Sequence, residues 1–171
     1  MGNLANNLRV AQDAIIYTGN RLIIGRGNSI EDNMAYFPLI VGVPLVCVTA
    51  QRIVTEVSIA RNDGQTIAQL AERAERFRCG NCGEQSAVAM NHLMSLRISP
   101  LDYMSLSNGD HTFVVIDRAA NSIDRDPLTW GDTAVVCDPW IRQAYQAREL
   151  LTRMRHISSD RTPLPYSRFR I

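Results

Sequence analysis

The apolar pattern of the chain changes near its centre, and this change limits the folds that are open to it. Between residues 67 and 96, apolar residues recur every three or four positions, which predicts two helices, the second starting near Gly83. Residues 101–106 and 112–116 are mostly apolar, which predicts two strands joined by a tight turn. A third strand is predicted over Thr133–Cys137. This order predicts an α+β fold in which a helix packs on a small antiparallel sheet.

The flanking segments are predicted from weaker patterns. Leu4–Tyr17 is loosely helical, and Phe37–Val54 is consistent with short buried strands or part of a helix. Asp63 is the expected cap of the helix that follows it. Ile141–Met154 predicts an amphipathic helix, and Ser158–Ile171 predicts a surface tail. We therefore expect one domain over residues 1–157 and a tail over 158–171, with no assigned role for residues 1–62.

Length and charge limit the partners and the location of the protein. The chain has 171 residues, 46% of them hydrophobic, and a net charge of +1, which fits one soluble domain and gives no reason to expect a nucleic acid partner. The apolar run Phe37–Thr49 is interrupted by prolines and is too short to span a membrane. No secretory signal is expected from the first residues, while specialised bacterial secretion, which leaves no such signal, stays open. We expect a monomer without a cofactor.

Lysine is absent, and all 18 basic residues are arginine. One explanation is a codon bias toward arginine. The other is selection against ubiquitin attachment, which uses lysine and would act on a foreign protein inside a eukaryotic cytosol.

Three side chains have the types and positions that a thiol enzyme requires. Cys82 lies at the start of a predicted helix, where unpaired N–H groups favour a thiolate and can hold an oxyanion. His111 precedes a predicted strand and is the candidate base. Asp138 ends another strand and is the candidate that orients the imidazole. Asn81 is a possible additional oxyanion donor.

Competing roles for the cysteines are less consistent with the sequence. Cys79 and Cys82 form a C-x-x-C pair, which also occurs in zinc sites and redox sites, but no second pair of ligands has a matching spacing. We therefore expect no metal, and we expect Cys79 to be a buried thiol or a turn residue in a reducing environment. His92 is expected about 15 Å along the helix from Cys82, too far to act as its base.

The sequence also argues against a catalytic role for two further residues, His156 and Asp110. His156 follows the last predicted helix and is expected to be solvated. Asp110 adjoins His111, and neighbouring strand residues point to opposite faces of a sheet, so Asp110 is the poorer partner for the imidazole.

The segments Asn-Cys-Gly-Glu-Gln-Ser, Asp-His-Thr-Phe-Val-Val-Ile and Val-Cys-Asp-Pro-Trp resemble the papain-fold toxin and effector families of bacteria, over roughly residues 63–140. The resemblance implies a papain-like (transglutaminase-like) fold with a Cys82–His111–Asp138 triad. The chain differs from papain-type peptidases, which have Asn where Asp138 stands. It also differs from eukaryote-type transglutaminases, which have Trp near the position of Phe113.

This resemblance implies a cysteine-dependent hydrolase that acts on a host or target protein after delivery into a host cytosol. The first hypothesis is a glutamine deamidase, which converts Gln to Glu and releases ammonia. The second is a cysteine protease of the same fold. The third is a binding module that keeps the scaffold without catalysis.

Overall fold

The computed structural model describes residues 3–26, Asp32, Met34 and residues 43–59, 66–155, 157 and 162–171. The helices in this part of the chain are α1 (Leu4–Arg21), α2 (Val43–Ile59), α3 (Ile67–Phe77), α4 (Cys82–Ser95) and α5 (Leu150–Arg153). The strands are β1 (Leu101–Leu106), β2 (Thr112–Ile116), β3 (Val135–Asp138), β4 (Gln143–Gln146) and β5 (Pro165–Arg170). They form an antiparallel sheet in the order β4-β3-β2-β1-β5. The predicted α+β class is confirmed.

Both faces of the central strand β2 are buried. Val114 and Ile116 join the core that α1, α3 and α4 form on one face of the sheet. Phe113 and Val115 join a second core on the other face, which contains Met104, Trp130, Val136, Tyr145, Leu150 and Met154. Because side chains alternate along a strand, burial on both faces explains the uninterrupted apolar run of residues 113–116 in β2.

The segment after α1 lies beside the chain that leads into α4. Ile24 donates a backbone hydrogen bond to the carbonyl of Arg78 at 2.9 Å, and Gly80 donates one to the carbonyl of Gly25 at 3.2 Å. α1 also contributes Val10, Ala11, Ala14 and Ile15 to the helix-side core. Residues 4–26 therefore support the region around Cys82, a role that the sequence did not indicate.

Two predictions about the C-terminal third are wrong. The predicted helix Ile141–Met154 is instead strand β4, a 3-10 turn over Ala147–Glu149 and the short helix α5. Pairing of β4 with β3 outweighs the local helical pattern. The predicted tail contains β5, which pairs with β1 at the sheet edge. Pro165 is tolerated because it is the first residue of an edge strand.

The helical predictions in the first half differ mainly at their ends. α1 continues past Tyr17 to Arg21, and Val43–Ile59 is a helix rather than strands. Thr66 caps α3 by accepting a hydrogen bond from the backbone N–H of Gln69 at 3.2 Å. The expected cap Asp63 lies outside the described residues. Within the described part of the chain, no helix has the length and apolar character needed to cross a membrane.

Candidate active site

Cys82 is the first residue of α4, and a capping box holds the helix start. Asn81 is the N-cap residue, and its backbone N–H donates to Oε2 of Glu84 at 3.0 Å. The spacing Asn-x-x-Glu is a known sign of a helix start, and it is visible in the sequence. Cys82 is 7% exposed, so the thiol lies just below the surface at the positive end of the helix dipole.

Three contacts from the first turns of α4 fix its position on the sheet. The hydroxyl of Tyr103 in β1 donates to the carbonyl of Gly83 at 2.8 Å. The hydroxyl of Ser86, four residues after Cys82, donates to the carbonyl of Thr112 at 2.8 Å. The Sγ of Cys82 lies 3.9 Å from the carbonyl oxygen of Asp110. The thiol is therefore held beside the start of β2.

The strand register brings His111 and Asp138 together. Val114 in β2 pairs with Cys137 in β3, so the residue before β2 and the last residue of β3 lie at the same end of the sheet. The Nε2 of His111 lies 2.5 Å from Oδ2 of Asp138, and both side chains are buried. The other carboxylate oxygen, Oδ1, accepts from the backbone N–H groups of Trp140 at 3.1 Å and Ile141 at 3.2 Å. Both oxygens of Asp138 are thus held in place.

The environment of His111 favours its protonated form. Burial alone would lower the pKa of this imidazole, but the charge and hydrogen bond of Asp138 and the nearby thiol of Cys82 together raise its pKa to about 10. Because Nε2 faces Asp138, Nδ1 is the ring nitrogen that remains to exchange a proton with the thiol of Cys82. An imidazolium in this position can stabilise a thiolate and later donate a proton to a leaving group.

Trp140 packs against His111, and Arg26 binds Trp140. Neither residue is a candidate from the sequence alone. The indole ring of Trp140 lies edge-on to the His111 ring, with 5.5 Å between centroids. Arg26 donates from Nη1 to the carbonyl of Trp140 at 2.7 Å and pairs with Asp32 through Nε at 2.8 Å. Arg26 lies in a Gly- and Asn-rich segment whose sequence carries no sign of this contact.

Cys79 does not have the role that we expected for it. It is bonded to Cys47 of α2 in a disulfide rather than being a free thiol. The expectation of reduced thiols is therefore wrong for these two residues, because α2 brings Cys47 beside the turn that precedes α4. Cys82 and Cys137 are the free cysteines among the described residues.

The remaining polar candidates lie away from the thiol or are used elsewhere. His92 stacks on Tyr17 with 3.9 Å between ring centroids, which agrees with its exclusion as a base. The side chain of Asp110 is exposed. His156 lies outside the described residues. The amide of Gln85 donates to the carbonyl of Gly80 at 2.8 Å and so braces the loop before Cys82.

The structure brings together the three side chains that the sequence singled out, Cys82, His111 and Asp138. Asn81 lies directly before the thiol, and its role as an oxyanion donor stays a prediction. The described residues contain no group of three or more His, Cys, Asp or Glu side chains that could hold a metal ion.

Comparison of the chain with models of known families, with curated proteins and with solved structures gives no match.

Proposed function

We propose that this chain is a cysteine-dependent hydrolase of amide bonds in a partner protein, and that its reaction is the deamidation of glutamine. The observation that carries the proposal is the connected set Cys82–His111–Asp138. A thiol at a helix N-terminus, beside an imidazole that a buried carboxylate orients, is an arrangement suited to nucleophilic acyl transfer.

The proposed reaction has two halves, the formation and the hydrolysis of a thioester, and His111 transfers a proton in each. The Sγ of Cys82 attacks the carboxamide carbon, and the N–H groups at the start of α4 hold the oxyanion. Nδ1 of His111 gives its proton to the leaving ammonia, which leaves a thioester. Water then attacks the thioester while His111 takes a proton from it, and Cys82 is released. The net change is the conversion of Gln and water into Glu and ammonia.

The proposed setting is a bacterial effector or toxin that acts on a host protein. It rests on the resemblance of the three motifs and on the absence of lysine. The disulfide between Cys47 and Cys79 supports a passage through an oxidising compartment before the chain acts, because such bonds form and persist there.

A single proteomic experiment tests the proposal. Host cell extract is incubated with the wild-type chain or with Cys82→Ser, and peptides are compared by mass spectrometry. Deamidation gives Gln-containing peptides that are about 1 Da heavier with the wild type alone. New peptide termini without this gain assign the protease reaction instead. Identical peptides in both samples would reject both reactions and leave the third hypothesis, a binding module without catalysis.

A further inference from the structure

A cavity of about 630 Å³ lies beside the triad. Its walls are the C-terminal half of α1, the segment 22–26 and the turn between β3 and β4. Two lining residues adjoin the triad, since Gln85 lies one helical turn after Cys82 and Pro139 follows Asp138. The volume falls in the range of pockets that hold ligands, about 300–1,000 Å³.

One wall of the cavity is apolar. It consists of Ile15, Ile16, Leu22, Ile23 and Ile24. Ile16 and Ile23 are each 53% exposed, so branched apolar surface faces solvent at the cavity. A ligand with an aliphatic portion would remove this surface from water.

Another part of the cavity lining carries charge. Arg26 and Arg142 both face Asp32, and both arginines line the cavity. The buried guanidinium of Arg26 lies close to the carboxylate, at 2.8 Å. The contact of Arg142 is longer, at 3.4 Å, and its side chain is 64% exposed. The two guanidinium groups thus share one carboxylate among the described lining residues, and Arg142 is the one that can turn to a ligand.

The backbone of Arg142 also fits a binding role. Its φ angle is 59°, in the left-handed region that residues other than glycine adopt infrequently. Such conformations occur in turns and at ligand sites, and Arg142 lies in the turn between β3 and β4 that borders the cavity. A guanidinium group presents paired N–H donors that match a carboxylate.

We propose that this cavity binds an acidic side chain of the substrate protein through Arg142, while the isoleucine wall covers an aliphatic neighbour in the same segment. The identification of the bound segment as substrate rests on the proposed function. The binding itself does not, because none of the lining groups takes part in the bond-making steps.

The test uses the Cys82→Ala chain, which cannot form a thioester, and two small probes. These are N-acetyl-Leu-Glu amide and N-acetyl-Leu-Gln amide, which have the same shape and differ in charge. We expect the Glu probe to shift the backbone NMR signals of Ile23, Gly25 and Arg142 in a saturable way, and to bind about tenfold more tightly than the Gln probe.

Arg142→Gln should abolish this preference. Arg148→Gln is the matched control and should leave it unchanged, because Arg148 is also exposed and paired, with Asp132 at 2.6 Å, but does not line the cavity. Equal binding of the two probes, no shift at the cavity, or an unchanged preference in Arg142→Gln would overturn the inference.

The outcome separates this inference from the proposed function. If the Glu probe binds as expected but the wild type changes no peptide in the extract, the cavity stands and the hydrolase proposal fails. If deamidation depends on Cys82 but is as fast in Arg142→Gln as in the wild type, the hydrolase proposal stands and the cavity does not select the substrate.

Discussion

Arg26 donates a hydrogen bond to the carbonyl oxygen of Trp140 at 2.7 Å, across 114 residues of sequence. The indole ring of Trp140 in turn packs edge-on against His111. The backbone N–H of Trp140 donates to Asp138, so this one residue contacts two members of the triad. The segment after α1 therefore supports, through Arg26, the residue that packs against the imidazole.

The first prediction concerns the ion pair of Arg26. Arg26→Gln leaves the carboxylate of Asp32 without its closest cation, and we expect the free energy of unfolding to fall by about 3 kcal/mol. Urea denaturation measures this change. Arg9→Gln is the control, because its pair with Asp13 is exposed and should change stability by less than about 1 kcal/mol. Equal effects of the two substitutions would contradict the prediction.

The second prediction compares the two free thiols. Iodoacetamide at neutral pH should label Cys82 and leave Cys137 unmodified in the folded chain. Cys137 is fully buried, and burial raises the pKa of its thiol, so it offers neither access nor thiolate. Cys82 is 7% exposed and lies just below the surface, beside an imidazole whose pKa is raised to about 10.

Peptide mass spectrometry after a short exposure to iodoacetamide gives the labelled fraction of Cys82 and of Cys137. His111→Ala should slow labelling of Cys82 at least tenfold by removing the cation beside the thiol. Preferential labelling of Cys137, or an unchanged rate in the variant, would count against the assignment of Cys82 as nucleophile.

The third prediction is a dependence of stability on pH. Although burial lowers it, the pKa of His111 in the folded chain is raised to about 10 by Asp138 and Cys82, against 6.5 for an ordinary histidine. Folding therefore retains a proton between these values, and the free energy of unfolding should fall as the pH rises through this window, by at most about 1.4 kcal/mol per pH unit. The stabilisation is fully present below pH 6.5.

Urea denaturation at several pH values between 6 and 10 measures this slope. His111→Gln is the comparison, because groups distant from the triad titrate equally in both chains, so the difference between the curves reports His111 together with its coupling to Asp138 and Cys82. Parallel stability curves for the two chains would show that the folded state does not hold this proton.

The sequence predicted the local elements of the site better than their surroundings. The bounds of β1 and β2, and the positions of Cys82 and His111 at the starts of their elements, follow from apolar periodicity and from the Gly- and Asn-containing turns. β4 and the contact of Arg26 with Trp140 depend on pairing between distant segments. Local pattern carries no signal for such contacts, and the same holds for the disulfide of Cys47.

The fourth prediction concerns that disulfide. The bond between Cys47 and Cys79 closes a loop with a sequence separation of 32, and its loss should lower stability by roughly 3–4 kcal/mol. Reduction of the wild type with dithiothreitol and the double variant Cys47→Ala/Cys79→Ala should both show this loss in urea denaturation. The double variant should not respond to dithiothreitol. A wild type whose midpoint is insensitive to the reductant would contradict the prediction.

The fifth prediction compares the two glycines that flank the nucleophile. A Cβ at position 80 would lie 2.5 Å from the Cβ of Glu84, which caps α4, so Gly80→Ala should destabilise the chain by about 1–3 kcal/mol. A Cβ at position 83 would lie 3.5 Å from the hydroxyl of Tyr103, an ordinary contact. Gly83→Ala should be neutral or stabilise the helix by up to about 1 kcal/mol.

Activity measurements distinguish a packing role from a role in substrate access at Gly80 and Gly83. Gly80 is needed for packing, because the space a side chain would fill is taken by Glu84. If the substrate backbone passes over Gly83, its Ala variant will keep the thermal midpoint of the wild type but show a raised KM for the target protein. An unchanged KM would mean that Gly83 is not there to admit the substrate.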